Sequence, residues 1–440
     1  MKMFICSKFV LGNFLHYYLG ILRKIFWKQT TNITVMAKVQ NVYLESKPRY
    51  EILDGLRGVA ALLVVAFHLF ETYSKGTPYQ IINHGYLAVD FFFVLSGFVI
   101  GYAYDDRWSK MTLGGFFKRR LTRLQPMMVI GTVVGLLMFY FGINCSQFGP
   151  IATAPAWKIA LCFVLGIFMI PVTPKMDIRG WQESYPLNGP QWSLMLEYIG
   201  NILYALFFRR MPKWLLACFV GLFALLTLNF GLGWDVFGTL GHYSGRFAGG
   251  WSITEQQLWI GFTRLLYPFF CGLLIQRIGK FIKVKNAFLW CSLILIAVLS
   301  VPRIGAAPSF SRELGYQPGG VFYNGLYESL IILIVFPLLV LMGAGGTIKG
   351  KCSMKFCKFL GDISYPIYIT HYPMIYAQMS WQSVNADAPV GQHIMVSVGF
   401  FFLSILLAWA CLKFFDEPTR KWLTEHWLKG KKSKAATAEK

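Results

Sequence analysis

Eleven apolar runs, separated by short basic or polar stretches, leave this chain few ways to fold. They cover 52–71, 86–104, 127–143, 157–171, 192–208, 214–232, 258–277, 286–302, 325–344, 362–380 and 393–415. In hydrocarbon every backbone polar group must find a partner within the chain, and about 20 residues of helix cross the bilayer core. Runs of this length predict an all-α, polytopic transmembrane helix bundle. Apolar residues make up 55% of the 440 and charged residues only 14%, too few to coat a soluble domain of this size. Aromatics at 17% suit the two interfacial belts where Trp and Tyr collect.

The net charge of +22 could suggest nucleic acid, but its distribution argues against that partner. Most Lys and Arg sit in short stretches between apolar runs, where they set topology and meet membrane lipids rather than forming a basic face on a soluble module. Lys38, Lys47 and Arg49 place the leading segment in the cytoplasm, and so do Arg107, Lys110, Lys118, Arg119, Arg120 and Arg123 for the stretch after the second run. Were 157–171 to span, three later basic clusters would face outward. Treating it as a re-entrant or interfacial segment returns all three to the cytoplasm. It is also short, with Lys158 near its start and Pro171 at its end. The expectation is therefore about ten spans plus this segment, in the inner (cytoplasmic) membrane with both termini cytoplasmic.

Residues 1–47 read as an N-terminal cytoplasmic extension, with Met36 as an alternative start; 48–423 form the membrane domain, and 424–440 a basic cytoplasmic tail. Nine scattered Cys, several within apolar runs, behave as small buried hydrophobes, and no ligand spacing calls for a metal.

Charged and imidazole side chains at membrane depth are costly, so each is a candidate for function. Arg57 and His68 lie eleven residues apart on the first span, which puts them on one helix face and about 16 Å apart along the axis. An anion clamp near the inner boundary with a base deeper in the membrane suits a long anionic donor. Asp90, Glu197 and Arg264 count to about the depth of His68, where Asp90 or Glu197 would orient the imidazole and Arg264 would neutralise a carboxylate or hold an oxyanion. His371 counts to mid-membrane as a second lining candidate. Arg120 and Arg123, three apart, are neighbours on one face, a pairing suited to phosphate oxygens or simply to anchoring.

Several of these residues fall in blocks that resemble the membrane acyltransferase-3 family. The blocks are Arg57-x10-His68, the run from Val89-Asp90-Phe91 to Ser96-Gly97-Phe98, and Arg119-Arg120-Leu121-x-Arg123-Leu124-x-Pro126. Trp192-Ser193-Leu194 with Glu197, then Ser364-Tyr365-Pro366-x-Tyr368-x-x-His371, then Asp416-Glu417-Pro418-x-Arg420 follow in order across about 48–423. Gln125 departs from the aromatic or aliphatic residue more usual before that proline. The resemblance implies an O-acyltransferase, often an O-acetyltransferase, that modifies extracytoplasmic carbohydrate or a lipid-linked glycan and takes acetyl-CoA or another acyl-CoA as donor. It further implies Arg57 and His68 as the essential pair, Arg120 and Arg123 as donor contacts with Ser96 beside them, and Trp192, Ser193, Tyr365 and His371 around the substrate. No appended hydrolase-like domain is evident, so the acceptor is expected to be handled by the membrane domain or a partner. His68 would act as general base or accept the acyl group itself. A transporter or flippase for a polar or glycolipid solute is the rival reading, with no duplicated halves to favour it.

Overall fold

The computed structural model describes residues 47–74, 80–141, 149–303 and 318–429. Within them the chain is helical, with no strand. In order the helices are α1 (Glu51–Ser74), α2 (Ala88–Tyr104), α3 (Leu113–Phe141), α4 (Ala156–Ile167), α5 (Gln191–Leu206), α6 (Lys213–Gly231) and α7 (Glu255–Ile278). Then come α8 (Ala287–Ser300), α9 (Pro318–Leu330), α10 (Phe336–Gly345), α11 (Lys351–Val384), α12 (Val390–Cys411) and α13 (Glu417–Leu423). A π turn at Ile331–Val335 joins α9 to α10. Among the described residues, seven helical stretches are long and apolar enough to cross a membrane. The ten-span expectation needs α5, α8 and α11 as well; α11 is long enough at 34 residues but is less apolar, because polar side chains line its buried face.

Two helix pairs form the frame, and glycine lets their backbones touch. A Cβ on Gly97 of α2 would sit 1.7 Å from the Phe269 carbonyl oxygen of α7, and one on Gly272 would sit 2.0 Å from that of Val94. Close packing of this kind replaces the hydrophobic driving force that lipid cannot supply. Contacts advance in step along both helices, from Asp90 with Arg264 to Gly101 with Leu273, so α2 and α7 run parallel. The same holds for α1 and α11, from Gly58 against Leu360, through His68 against His371, to Thr72 bonding Gln378.

The segment expected to be re-entrant or interfacial forms a short helical hairpin. Helix α4 is the shorter of two brief apolar helices, 12 residues against 14 in α8, and rises about 18 Å. The chain reverses at Met169, whose φ of +59° lies in the left-handed region, and Val172 N then donates to Ser184 O. Lys158 Nζ donates to Asp177 O, so the hairpin leaves beside its point of entry.

At the other end the chain stays helical into the stretch expected to be the basic tail. Helical structure continues past Leu423 to Leu428, with Lys118 lying over the Trp427 ring. The alternative start at Met36 lies outside the described residues.

Candidate active site

His68 and His371 meet where α1 packs on α11. Their rings are 5.6 Å apart and nearly parallel, with the Tyr372 ring edge-on to His68 at 4.9 Å. His68 Nδ1 lies 2.9 Å from a Glu71 carboxylate oxygen. A carboxylate accepts, so Nδ1 carries the hydrogen and Nε2 presents its lone pair. His371 is fully buried, and its Nδ1 points at the Tyr368 and Ile367 carbonyls at 2.9 and 3.2 Å, again leaving Nε2 as the open nitrogen. That buried Nε2 has no protein partner among the described residues. Two imidazoles thus lie against each other with their tautomers fixed the same way.

Glu71 was not among the expected site residues; Asp90 or Glu197 was expected to orient His68. Asp90 is instead fully buried against Arg264, whose Nη2 donates to it at 2.7 Å. The remaining guanidinium hydrogens reach Gly249 O and Tyr86 O, and Trp192 lies beneath the cation at 5.2 Å. Such a pair clamps α2, α7 and the loop before α7 together, since a buried charge keeps its place only when its partners surround it. Trp192 and Ser193, from the start of α5, do face this layer: Ser193 Oγ lies 2.7 Å from the Tyr368 hydroxyl.

Glu197 departs from its expected depth for a geometric reason. Helix α5 begins inside the bundle, with Gln191 bonded to Thr132 of α3 and Asn188 to the Ile369 carbonyl just before His371. Six residues on, Glu197 is already at the level of Arg120, which it bonds at 2.8 Å, and Ser96 donates to the same oxygen. The Ser96 hydroxyl is therefore spent on Glu197, as is much of Arg120. Arg57 pairs more loosely with Asp54, at 3.2 Å, and both Arg57 and Arg120 repel Arg123 through space. Arg123 is exposed and has no ion pair among the described residues. Three guanidiniums thus gather at one end of the bundle, one of them open. Tyr365, expected to line the substrate, donates to Leu124 O and ties α11 to α3 two residues before Pro126.

A second cluster escaped sequence reasoning. From the Tyr372 ring the contacts run to Tyr376, 4.8 Å away, whose hydroxyl donates to Glu183 at 2.7 Å. Arg179 stacks on the Tyr376 ring at 3.6 Å. Glu183 belongs to the loop after the α4 hairpin. Burial pushes its carboxyl up to about 7, with the Tyr376 bond and Arg179 only partly offsetting the shift. No period in the sequence marks this loop, and only its excess of polar residues over its neighbours hinted at it.

Comparison with known proteins identifies relatives of the chain. A profile described as an acyltransferase domain matches residues 50–413. "Protein 2 in picA locus" of Rhizobium radiobacter is 32% identical over 165 residues, which cover 36% of this chain and 81% of that protein. The peptidoglycan O-acetyltransferase OatA of Listeria monocytogenes is 23% identical over 87% of this chain. The O-acetyltransferase OatA of Staphylococcus aureus is 24% identical over 85%. The matched regions cover 57% and 58% of those two acetyltransferases. No solved structure matches.

Proposed function

The chain belongs to the acyltransferase-3 family, and from that premise we propose that it moves an acyl group, acetyl in the simplest case, from cytoplasmic acyl-CoA to a hydroxyl of an extracytoplasmic carbohydrate or glycolipid. The observation that carries this reading is the His68–Glu71 pair, set about 16 Å along α1 from the arginine cluster. Donor phosphates meet Arg57 and Arg123 first, with Arg120 joining if Glu197 yields it. The thioester arm then rises to His68. Glu71 holds the Nδ1 hydrogen, so Nε2 takes the proton of the acceptor hydroxyl as its oxygen attacks the thioester carbon. The carbon–sulfur bond breaks, and the proton passes from His68 to the departing thiolate. A covalent acyl-imidazole route would use the same nitrogen. Asp90 and Arg264 serve as a structural clamp, while Trp192, Ser193, Tyr368 and His371 shape the acceptor side.

Orientation in the membrane follows the ten-span topology, with both termini cytoplasmic. The parallel pairs support it. With 157–171 re-entrant, α1 and α11 are the first and ninth crossings and α2 and α7 the second and sixth, so each pair shares a direction. Were 157–171 to span, both pairs would be antiparallel.

His68→Ala should lower acyl transfer by about 10²–10⁴ while the protein still inserts and folds, and Glu71→Ala should lower it by less. The measurement is release of free CoA by purified protein with and without a glycan acceptor, backed by mass spectrometry of envelope glycans. Wild-type rates in His68→Ala would end the base assignment. CoA-independent movement of an intact solute would favour a transporter.

A further inference from the structure

At the arginine end of the bundle a recess of about 320 Å³ opens between the start of α1, the end of α2 and the end of α7. That is enough for a small planar ligand, at the lower edge of the usual range of about 300–1,000 Å³. Tyr50, Tyr102 and Phe281 supply its aromatic lining, with the Tyr50 ring edge-on to both others at 4.9 and 6.3 Å. Gln276 lines it too, and its Oε1 is buried with no hydrogen-bond partner among the described residues. That oxygen sits 2.9 Å from where a Cβ on Gly101 would be, so the glycine keeps the approach to it open.

An acceptor left without a donor is costly to bury and points to a ligand that brings one. The charges of the recess cancel. Asp106 is paired with Lys47 at 2.8 Å, and Asp105 with Arg277 at 2.7 Å. Neither a bare anion nor a bare cation is therefore favoured. A neutral aromatic ring bearing an amino group fits the aromatic walls and the single amide oxygen.

Position agrees with this chemistry. Tyr50 caps α1, accepting from Asp54 N. Arg57 follows seven residues later and His68 eighteen residues later, so at 100° per residue all three share one stripe of the helix. Their levels are about 10 Å and then about 16 Å apart along the axis. We propose that this recess is the purine subsite of the donor, holding the adenine of acyl-CoA by its ring faces and by an amine-to-Gln276 hydrogen bond, with the phosphates at the arginines and the acyl arm directed to His68. The inference rests on acyl-CoA being the donor.

The test compares acetyl-CoA with S-acetyl-4′-phosphopantetheine, a donor lacking the base and ribose, on the full-length protein in nanodiscs. Gln276→Leu removes the acceptor, and Gly101→Ala places a methyl 2.9 Å from the amide oxygen, across its approach, while leaving Gln276 itself unchanged. In each variant the ratio of kcat/KM for acetyl-CoA to that for the truncated donor should fall about tenfold, in line with the loss of one buried hydrogen bond. Equilibrium dialysis of adenosine 3′,5′-bisphosphate should show the same weakening, and undiminished transfer from the truncated donor separates lost binding from lost folding. A wild-type preference for acetyl-CoA that both variants retain would overturn the subsite and leave the donor reading standing. Transfer from neither donor in wild-type protein would end the donor reading, and the subsite with it.

Discussion

Glu183 holds its proton toward neutrality because burial among Tyr376, Tyr372 and Arg179 withholds the water that would solvate its charge. Its folded pKa, about 7, lies above the ordinary value of 4.5. Between those values the folded protein binds the extra proton, so stability is greatest below pH 4.5 and declines as pH rises toward 7. Glu183→Gln keeps an oxygen for the Tyr376 hydroxyl and removes the titration. The thermal midpoint of wild-type protein in detergent should fall between pH 5 and 8, and that of the variant should stay flat by comparison. At this scale the sequence was partly legible. Arg57 and His68 could be placed on one face because a single uninterrupted helix carries both. The partners of His68 could not, since one is a neighbour a turn away at the helix end and the other, His371, arrives from a distant helix. Counting depth failed at Glu197 because it assumes that every helix starts at the membrane surface, whereas α5 starts within the bundle.

Among the elements, the α2–α7 pair is the least tolerant of added volume. Gly97→Ala would drive a methyl into the Phe269 carbonyl, and because backbone atoms cannot swing aside the two helices must separate. A loss of about 1–3 kcal/mol is expected, read as a lower midpoint in heated size-exclusion profiles. Gly114→Ala in α3 meets nothing within 4 Å and provides the control; helix propensity alone should leave it neutral or slightly stabilised. That displacement would unseat the Asp90–Arg264 clamp too, so Gly97→Ala should lose transfer activity before it unfolds. The apolar runs announced most of these helices, and the positive-inside rule singled out the run that forms the short α4. The glycine contacts stayed hidden because a glycine in an apolar run looks alike whether it faces lipid or a neighbouring backbone.

For the molecule as a whole, direction through the membrane is the property most open to test. With the other eight Cys replaced by Ser, Cys352, exposed at the start of α11, should react with a membrane-impermeant maleimide only from the cytoplasmic face, and Cys352→Ser should abolish that signal. Labelling from outside that is lost in Cys352→Ser would invert the topology. The parallel entry of α1 and α11 also bears on how the protein is made. About 300 residues separate His68 from His371, and at about 5–20 residues per second a ribosome needs roughly 15–60 s to synthesise them. Throughout that interval the nascent chain displays one imidazole without its companion, so the face that α1 and α11 share is completed only when one of the last helices of the bundle arrives.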